Sequence, residues 1–227
     1  HFETASVMNA LALALMDAGQ PQEADRLLGD ALSIMGELGR GESAIALSML
    51  SNQGVAATHL GDTARAAPLF QRAVDLRRKL YGRSAALAVL QHNLGRIKVR
   101  LGQPAEARPL IEDARTIAIE FTGASSPIVL TMNLSVVEVQ IALGELAAAN
   151  TELDAARGQI GRVLGESHAL YARAEQVLAR LRIRQGRLRE AAQAIDSAQR
   201  RLDELGDAGK PYLAEIATLR GQLQAAH

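Results

Sequence analysis

The chain has 227 residues and no formal net charge, because 25 lysines and arginines balance 25 aspartates and glutamates. Apolar residues make up 48% of it, aromatic residues only 3%, and it contains no tryptophan and no cysteine. The lack of cysteine excludes disulfides and thiolate metal sites, and the zero net charge gives no general attraction to nucleic acid or membranes. No stretch approaches the roughly 18 apolar residues that span a bilayer. We therefore expect a cytoplasmic protein.

Taken in chain order, the first predicted helix ends in MDAG at the first of five glycines, and the later ones end in THLG, VRLG, IALG and IRQG. The spacings of these glycines are 42, 41, 42 and 42 residues, at Gly19, Gly61, Gly102, Gly144 and Gly186. Glycine tolerates the left-handed conformation that closes a helix. A fixed period of this size with helical patterning predicts an all-α fold of the α-solenoid type.

A second predicted helix follows each of these glycines, and Pro21 and Pro104 stand near the start of two of them, where a missing N–H is harmless. These helices end about twenty residues on, at Gly39, Gly82, Gly123, Gly165 and Gly206. We predict a single array over residues 1–227, with repeats at roughly 3–41, 42–83, 84–125, 126–167 and 168–209. An apolar stripe over 210–226 predicts an eleventh helix that covers the open end of the stack.

Two alanines recur in every second helix, five and twelve residues after the turn glycine. They are Ala24, Ala66, Ala107, Ala149 and Ala191 at the first place and Ala31, Ala73, Ala114, Ala156 and Ala198 at the second. Positions seven apart face the same way on a helix, so we expect another backbone to press against both. A bulky residue at either place should overpack the contact.

These residues resemble the tetratricopeptide repeat, whose helical hairpin has a turn glycine, alanines at these two offsets and a small residue before the turn, here Gly54 and Gly95. The usual unit has 34 residues, and the longer unit of this chain is similar to the kinesin-light-chain type found in bacterial regulators. Supporting sequences are Asn52-Gln53-Gly54, His92-Asn93-Leu94-Gly95 and the loop 164–168, Leu-Gly-Glu-Ser-His. The resemblance implies a right-handed superhelix of about five and a half hairpins.

In the resembled family the first helices line a concave groove that receives a peptide. Carrying its groove positions over implies the polar candidates Asn9, Asp17, Ser51, Asn52, His59, His92, Asn93, Arg96, Arg100, Glu138, Arg173, Gln176, Arg180 and Arg184. The same positions include Leu13, Val55, Thr58, Val99, Leu134 and Ile141. We interpret Asn52 and Asn93, 41 residues apart, as holding the backbone within the groove or contacting the main chain of a ligand.

Two arginine pairs stand four residues apart on first helices, Arg96 with Arg100 and Arg180 with Arg184. Like charges at this spacing repel and add nothing to the helix itself. One interpretation is a pair of guanidinium groups that bind carboxylates or phosphates of a partner. The other is a solvated arginine face, paired to Glu138 or Glu175 on neighbouring helices. The sequence leaves both open.

No catalytic or phosphate-binding motif is present, and His59, His92 and His168 have no spacing that suits a metal ion. We therefore predict a protein that is not an enzyme and needs no cofactor or metal. Residues 171–201 carry eight arginines against three acidic residues, but without interleaved aromatic residues this excess is a weak indication of nucleic-acid binding.

The leading hypothesis is a scaffold that binds a peptide or partner segment of acidic or mixed character in its groove. The alternative is a sensory or regulatory segment of a larger bacterial signalling protein, a kinase or transcription regulator with its output domain elsewhere. The chain opens at His1 rather than Met, so we expect a fragment, which favours the alternative somewhat. The sequence leaves the oligomeric state open.

Overall fold

The computed structural model describes residues 1–226, and all regular structure in that part of the chain is helical. The helices are α1 (Phe2–Asp17), α2 (Pro21–Glu37), α3 (Ala44–His59), α4 (Thr63–Tyr81), α5 (Ala85–Arg100), α6 (Pro104–Thr122), α7 (Pro127–Ala142), α8 (Leu146–Leu164), α9 (Ala169–Arg184), α10 (Leu188–Glu204) and α11 (Lys210–Ala225). A short 3-10 turn, Gly206–Ala208, precedes α11. The prediction of eleven helices is confirmed.

The helices form two compact units, residues 1–121 and residues from 122 onward. In the first unit α1 packs on α2 and α3 on α4, while α2 and α4 also pack on the first helix of the following repeat. In the second unit α7 packs on α8, and α9 packs on α7, α8, α10 and α11. Each unit is thus built of stacked helical hairpins. That the whole chain is one domain with the repeat boundaries given above stays a prediction.

The turn glycines close the first helices as predicted. Gly19 has a φ of +73°, and its N–H donates to the Met16 carbonyl at 3.0 Å while the Gln20 N–H donates to the Leu15 carbonyl at 2.8 Å. This pair of bonds satisfies carbonyls that a helix end would otherwise leave unpaired. The other nine glycines that were predicted to end helices also have positive φ, between 57° and 84°.

The alanines of the second helices lie in the core, as the spacing predicts. All ten are buried, and none is more than 3% exposed. Between them stands a large buried residue, for example Leu28 in α2 and Leu153 in α8. The second helices therefore present a small residue, a large one and a small one again at regular spacing, which lets neighbouring helices approach closely.

The two helices of one hairpin, α5 and α6, approach each other closely at Gly95, in the middle of α5. A Cβ atom added there would lie 2.5 Å from Ile111 Cγ1 and 3.4 Å from the Ala107 carbonyl oxygen, both on α6. The Ile111 side chain is buried and cannot swing away. At Gly54, the equivalent position of α3, the added atom would lie 3.0 Å from the Phe70 ring.

Gly95→Ala is therefore expected to destabilise the protein, by about 1 kcal/mol in urea unfolding. Overpacking of about 1–3 kcal/mol outweighs the gain of about 1 kcal/mol that alanine brings to a helix interior. Gly158→Ala in α8 is the matched control, since its nearest neighbour is the mobile end of Arg162 at 3.3 Å. That variant should gain about 0.5–1 kcal/mol. Equal gains in both variants would contradict the close approach at Gly95.

Candidate functional site

A cavity of about 160 Å³ lies in the first unit, between the C-terminal halves of α3 and α5 and against α4. Its lining residues are Val55, Thr58, His59, Phe70, Asn93, Arg96, Ile97 and Arg100. Six of the eight are positions that the resemblance implied for a groove; the other two, Phe70 and Ile97, are apolar. The structure thus brings together six of the groove positions predicted for the second and third repeats, while Ser51, Asn52, His92 and Val99 do not line the cavity.

The floor of the cavity is apolar and buried. Phe70 and Ile97 are each 2% exposed, and the Phe70 ring lies against the backbone of Gly54. Sequence reasoning missed both residues, because it took groove positions from one face of the first helices only. Phe70 belongs to the second helix α4, and the signal for it was the glycine opposite, which leaves room for a large ring.

The rim of the cavity is polar and carries positive charge. Arg100 is the last residue of α5 and His59 is the last residue of α3, and both are exposed. Arg96 is half-buried and lies one turn before Arg100. None of the eight lining residues is acidic. Thr58 donates its hydroxyl proton to the Gly54 carbonyl at 2.8 Å, so its oxygen can only accept further hydrogen bonds at the rim. This arrangement suits an anionic group attached to an apolar one.

The remaining candidates of the first unit are placed differently. The Asn52 side-chain amide donates to Asn9 Oδ1 at 2.9 Å and so links α3 to α1. Ser51 is half-buried, Asp17 is exposed in the last turn of α1, and His92 is buried at 6% exposure. The contact joins the side chains of two neighbouring first helices, and the interpretation of Asn52 as a residue that holds the backbone within the groove stays a prediction.

In the second unit the predicted groove residues contact one another and α11. Arg173 donates to Glu138 Oε2 at 3.2 Å and Arg180 donates to Glu138 Oε1 at 3.1 Å. Arg180 also pairs with Glu215 of α11, and the Gln176 amide donates to the Tyr212 carbonyl at 2.9 Å. We call Glu138, Arg173, Arg180 and Glu215 the Glu138 network.

The two carboxylates of the network hold Arg180 in its charged form. Burial alone would lower the pKa of Arg180, but the charges of Glu138 and Glu215, together with their hydrogen bonds, raise it above its usual value. Arg184, one turn further on, is exposed. The two arginines of this pair therefore have different surroundings: Arg180 is paired within the chain, whereas Arg184 faces solvent. The assignment of the second-unit residues to a ligand groove stays a prediction.

The arginine-rich stretch 171–201 is paired to acidic residues from outside it as well as within it. Arg201 contacts Glu166 at 3.1 Å, and Arg182 contacts Glu190 at 3.1 Å. Glu175, the other partner that the sequence suggested for the arginines of α9, instead pairs with Arg157 of α8. These contacts neutralise much of the local excess of charge, so they do not favour a nucleic-acid surface.

No helix within residues 1–226 is long and apolar enough to cross a membrane. In the same residues no group of three histidine, aspartate or glutamate side chains is placed to hold a metal ion.

Stacked helical hairpins with turn glycines, buried alanines and a cationic cavity between first helices define a helical-repeat protein. The family model described as tetratricopeptide repeat matches residues 3–79 and 45–120, which together make up more than half of the chain. The chain belongs to the tetratricopeptide repeat family. No curated protein sequence shows a significant match to it.

Solved structures with the same fold include the nearly identical TPR-like repeats of a putative kinesin light chain from Podosopora anserina. That structure is 22% identical, with a TM-score of 0.72, and the match covers 90% of this chain and 97% of that one. The apo form of RapI is 12% identical, with a TM-score of 0.70 and coverage of 100% and 84%. YrrB, a TPR protein with an unusual peptide-binding site, is 16% identical, with a TM-score of 0.53 and coverage of 92% and 90%. The kinesin-light-chain-like type of the repeat is confirmed.

Proposed function

We propose that the chain is a protein-interaction scaffold, and that the cavity of the first unit binds an acidic side chain of an extended partner segment. The observation that carries this proposal is the lining of the cavity: Arg96, Arg100 and His59 at the rim, an apolar floor and no acidic residue. A carboxylate would meet two guanidinium groups, and the carbon atoms next to it would cover Phe70 and Ile97. Among proteins of the same fold, YrrB is described as having a peptide-binding site.

The affinity of such a site would come from few contacts on a rigid surface. A hydrogen bond to a charged group contributes about 1.5–3 kcal/mol. A preformed floor lowers the ordering cost of binding, since Phe70 and Ile97 are held in the core before any ligand arrives. Neighbouring side chains of the segment would lie on the first helices beside the cavity, where Asn93 offers an amide to the main chain.

The test is binding of immobilised 15-residue peptides that are acidic, neutral or basic, measured for the unchanged chain and for Arg96→Glu/Arg100→Glu. We expect the unchanged chain to prefer acidic peptides and the double variant to bind them at least about 100-fold more weakly, which equals about 2.7 kcal/mol. Arg72→Glu/Arg78→Glu is the matched control, because both arginines are exposed on α4 of the same unit and the change in charge is identical.

Equal losses in the two double variants would mean that net charge alone attracts the peptides. No preference for acidic peptides in the unchanged chain would refute the assignment of the cavity. Circular dichroism of each variant excludes unfolding as the cause of a loss.

A regulatory segment of a larger signalling protein is the second candidate. It is supported by the shared fold of a Rap protein complexed with Competence and Sporulation Factor, at a TM-score of 0.61 and 15% identity, where the match covers all of this chain but 66% of that one. A regulatory segment should change shape when it binds its peptide, whereas a scaffold should not. Small-angle scattering with and without a bound acidic peptide distinguishes the two, and an unchanged curve would count against regulation.

A further inference from the structure

The first helices of the first unit differ in the sign of their charge. The helix α1 contains two acidic residues, Glu3 and Asp17, and no lysine or arginine. The helix α3 contains no charged or titratable residue other than His59, and α5 contains three lysines and arginines and no aspartate or glutamate. The formal charge thus changes from negative to positive from α1 through α3 to α5.

The last residues of these three helices stand at the same position of the repeat. Asp17, His59 and Arg100 end α1, α3 and α5, and each lies two residues before a turn glycine. The helix α1 packs on α3, and the bond from Asn52 to Asn9 joins the two. His59 and Arg100 both line the cavity between α3 and α5. Because a second helix folds back between successive first helices, the three first helices run in the same direction and end on one side of the unit.

The carboxylate of Asp17 adds no stability to the fold. Asp17 is exposed, and so are His59, Arg100 and Arg184 at the same position of other repeats, so the exposure is a property of this repeat position. Within residues 1–226 the Asp17 side chain has no hydrogen-bond or ion-pair partner. A negative charge in the last turn of a helix is also repelled by the helix dipole. Asp17 is therefore available to bind a cation from outside the chain.

We propose, on the basis of the function proposed for the cavity, that the extended partner segment carries a basic residue about five or six positions from its acidic residue, and that Asp17 binds this basic residue. Neighbouring first helices pack about 8–10 Å apart, so α5 lies about 16–20 Å from α1. An extended chain advances about 3.3 Å per residue, so five or six residues cover that distance. A second acidic residue at the same place would be repelled by the Asp17 carboxylate, so Asp17 also disfavours segments that are acidic throughout.

The test is binding of otherwise neutral peptides in which one glutamate has a lysine, a glutamine or a second glutamate six positions before or after it. Low salt, about 20 mM, limits the screening of exposed charges, and pH 8 lies above the range in which histidine ordinarily titrates. We expect the unchanged chain to bind the best peptide with lysine at least about threefold more tightly than the one with glutamine, as one exposed ion pair allows, and the one with two glutamates most weakly. Lysine only two positions from the glutamate should bring no gain, because it cannot reach α1.

Asp17→Lys should reverse the preference, so that the peptide with two glutamates binds more tightly than the one with lysine. This variant should fold normally, because lysine is favourable in the last turn of a helix. Asp30→Lys is the matched control, since Asp30 is exposed on α2 of the same hairpin and the change in charge is identical. It should keep the preference of the unchanged chain.

A preference for lysine that survives in Asp17→Lys would overturn the proposal. So would its equal reversal in Asp30→Lys, since net charge would then decide, or an equal gain at both spacings. All three results leave the function proposed for the cavity intact as long as a peptide with one glutamate binds the unchanged chain more tightly than the same peptide with none. Loss of that difference would refute the assignment of the cavity itself.

Discussion

Glu138→Ala is expected to lower the free energy of unfolding by about 3 kcal/mol, the usual loss when one partner of a buried ion pair is removed. Glu138 accepts hydrogen bonds from Arg173 and Arg180, and its side chain is only 18% exposed. Without it, Arg173 loses the partner on α7 and Arg180 keeps only Glu215. Of the two carboxylates in the network, only that of Glu215, which pairs with Arg180, then remains for two partly buried guanidinium groups.

Urea unfolding of three variants measures this effect. Glu215→Ala should cost less, about 1 kcal/mol, because the Glu215 side chain is half-exposed and Arg180 retains Glu138. Glu204→Ala, at an exposed position in the last turn of α10, is the matched control and should stay within about 0.5 kcal/mol of the unchanged chain. If Glu138→Ala behaves like Glu204→Ala, the network contributes nothing and its arginines are free to meet a ligand.

A double-mutant cycle separates the free energy of the ion pair from the free energy lost with side-chain packing. Arg180→Ala combined with Glu138→Ala should cost less than the sum of the two single changes, with a coupling of about 1–3 kcal/mol. Burial lowers the pKa of Arg180, but the two carboxylates raise it above its ordinary value, so Arg180 stays charged at neutral pH and the coupling should not change between pH 6 and pH 8 through this arginine. Salt should weaken the coupling only slightly, because the contact is partly buried.

Ala114→Leu is expected to destabilise the chain by about 2 kcal/mol through overpacking. Ala114 is fully buried in α6, and the larger side chain would have to displace a neighbouring helix. Ala105→Leu is the matched control on the same helix, at an exposed position near its start, and should change stability by less than about 0.5 kcal/mol. Thermal melts of both variants compare the two directly. No loss at Ala114 would contradict its place in the core.

The helices could be predicted from the sequence because glycine and alanine recur at positions where the backbone geometry of the repeat requires them. A turn that needs positive φ restricts its residue to glycine, and a close helix contact restricts its residue to alanine, so both recur at the repeat length. Six of the eight lining residues of the cavity are positions that the resemblance implied for a groove, and their role in binding a ligand stays a prediction.

The Glu138 network could not be predicted in the same way. The sequence suggested Glu138 and Glu175 as alternative partners of the α9 arginines, and the structure pairs Arg180 with Glu138 and with Glu215, and Glu175 with Arg157. Long side chains on neighbouring helices can reach several partners, and the choice depends on rotamers and on burial rather than on spacing. The place of Phe70 in the cavity was not predicted for a related reason. Its ring extends from the second helix α4 into the space that Gly54 leaves open.

These polar contacts between helices join residues that are about one repeat length apart in the sequence. The bond from Asn52 to Asn9 spans 43 residues, the pair of Arg180 and Glu138 spans 42, and that of Arg173 and Glu138 spans 35. Contacts that join only adjacent repeats close short loops and so cost little entropy. Proteins built in this way fold quickly, and their folding can begin at any hairpin. Within each unit, unfolding should then proceed by fraying from a terminal hairpin, and a stretch of one repeat length could be gained or lost without rearranging the contacts of the others.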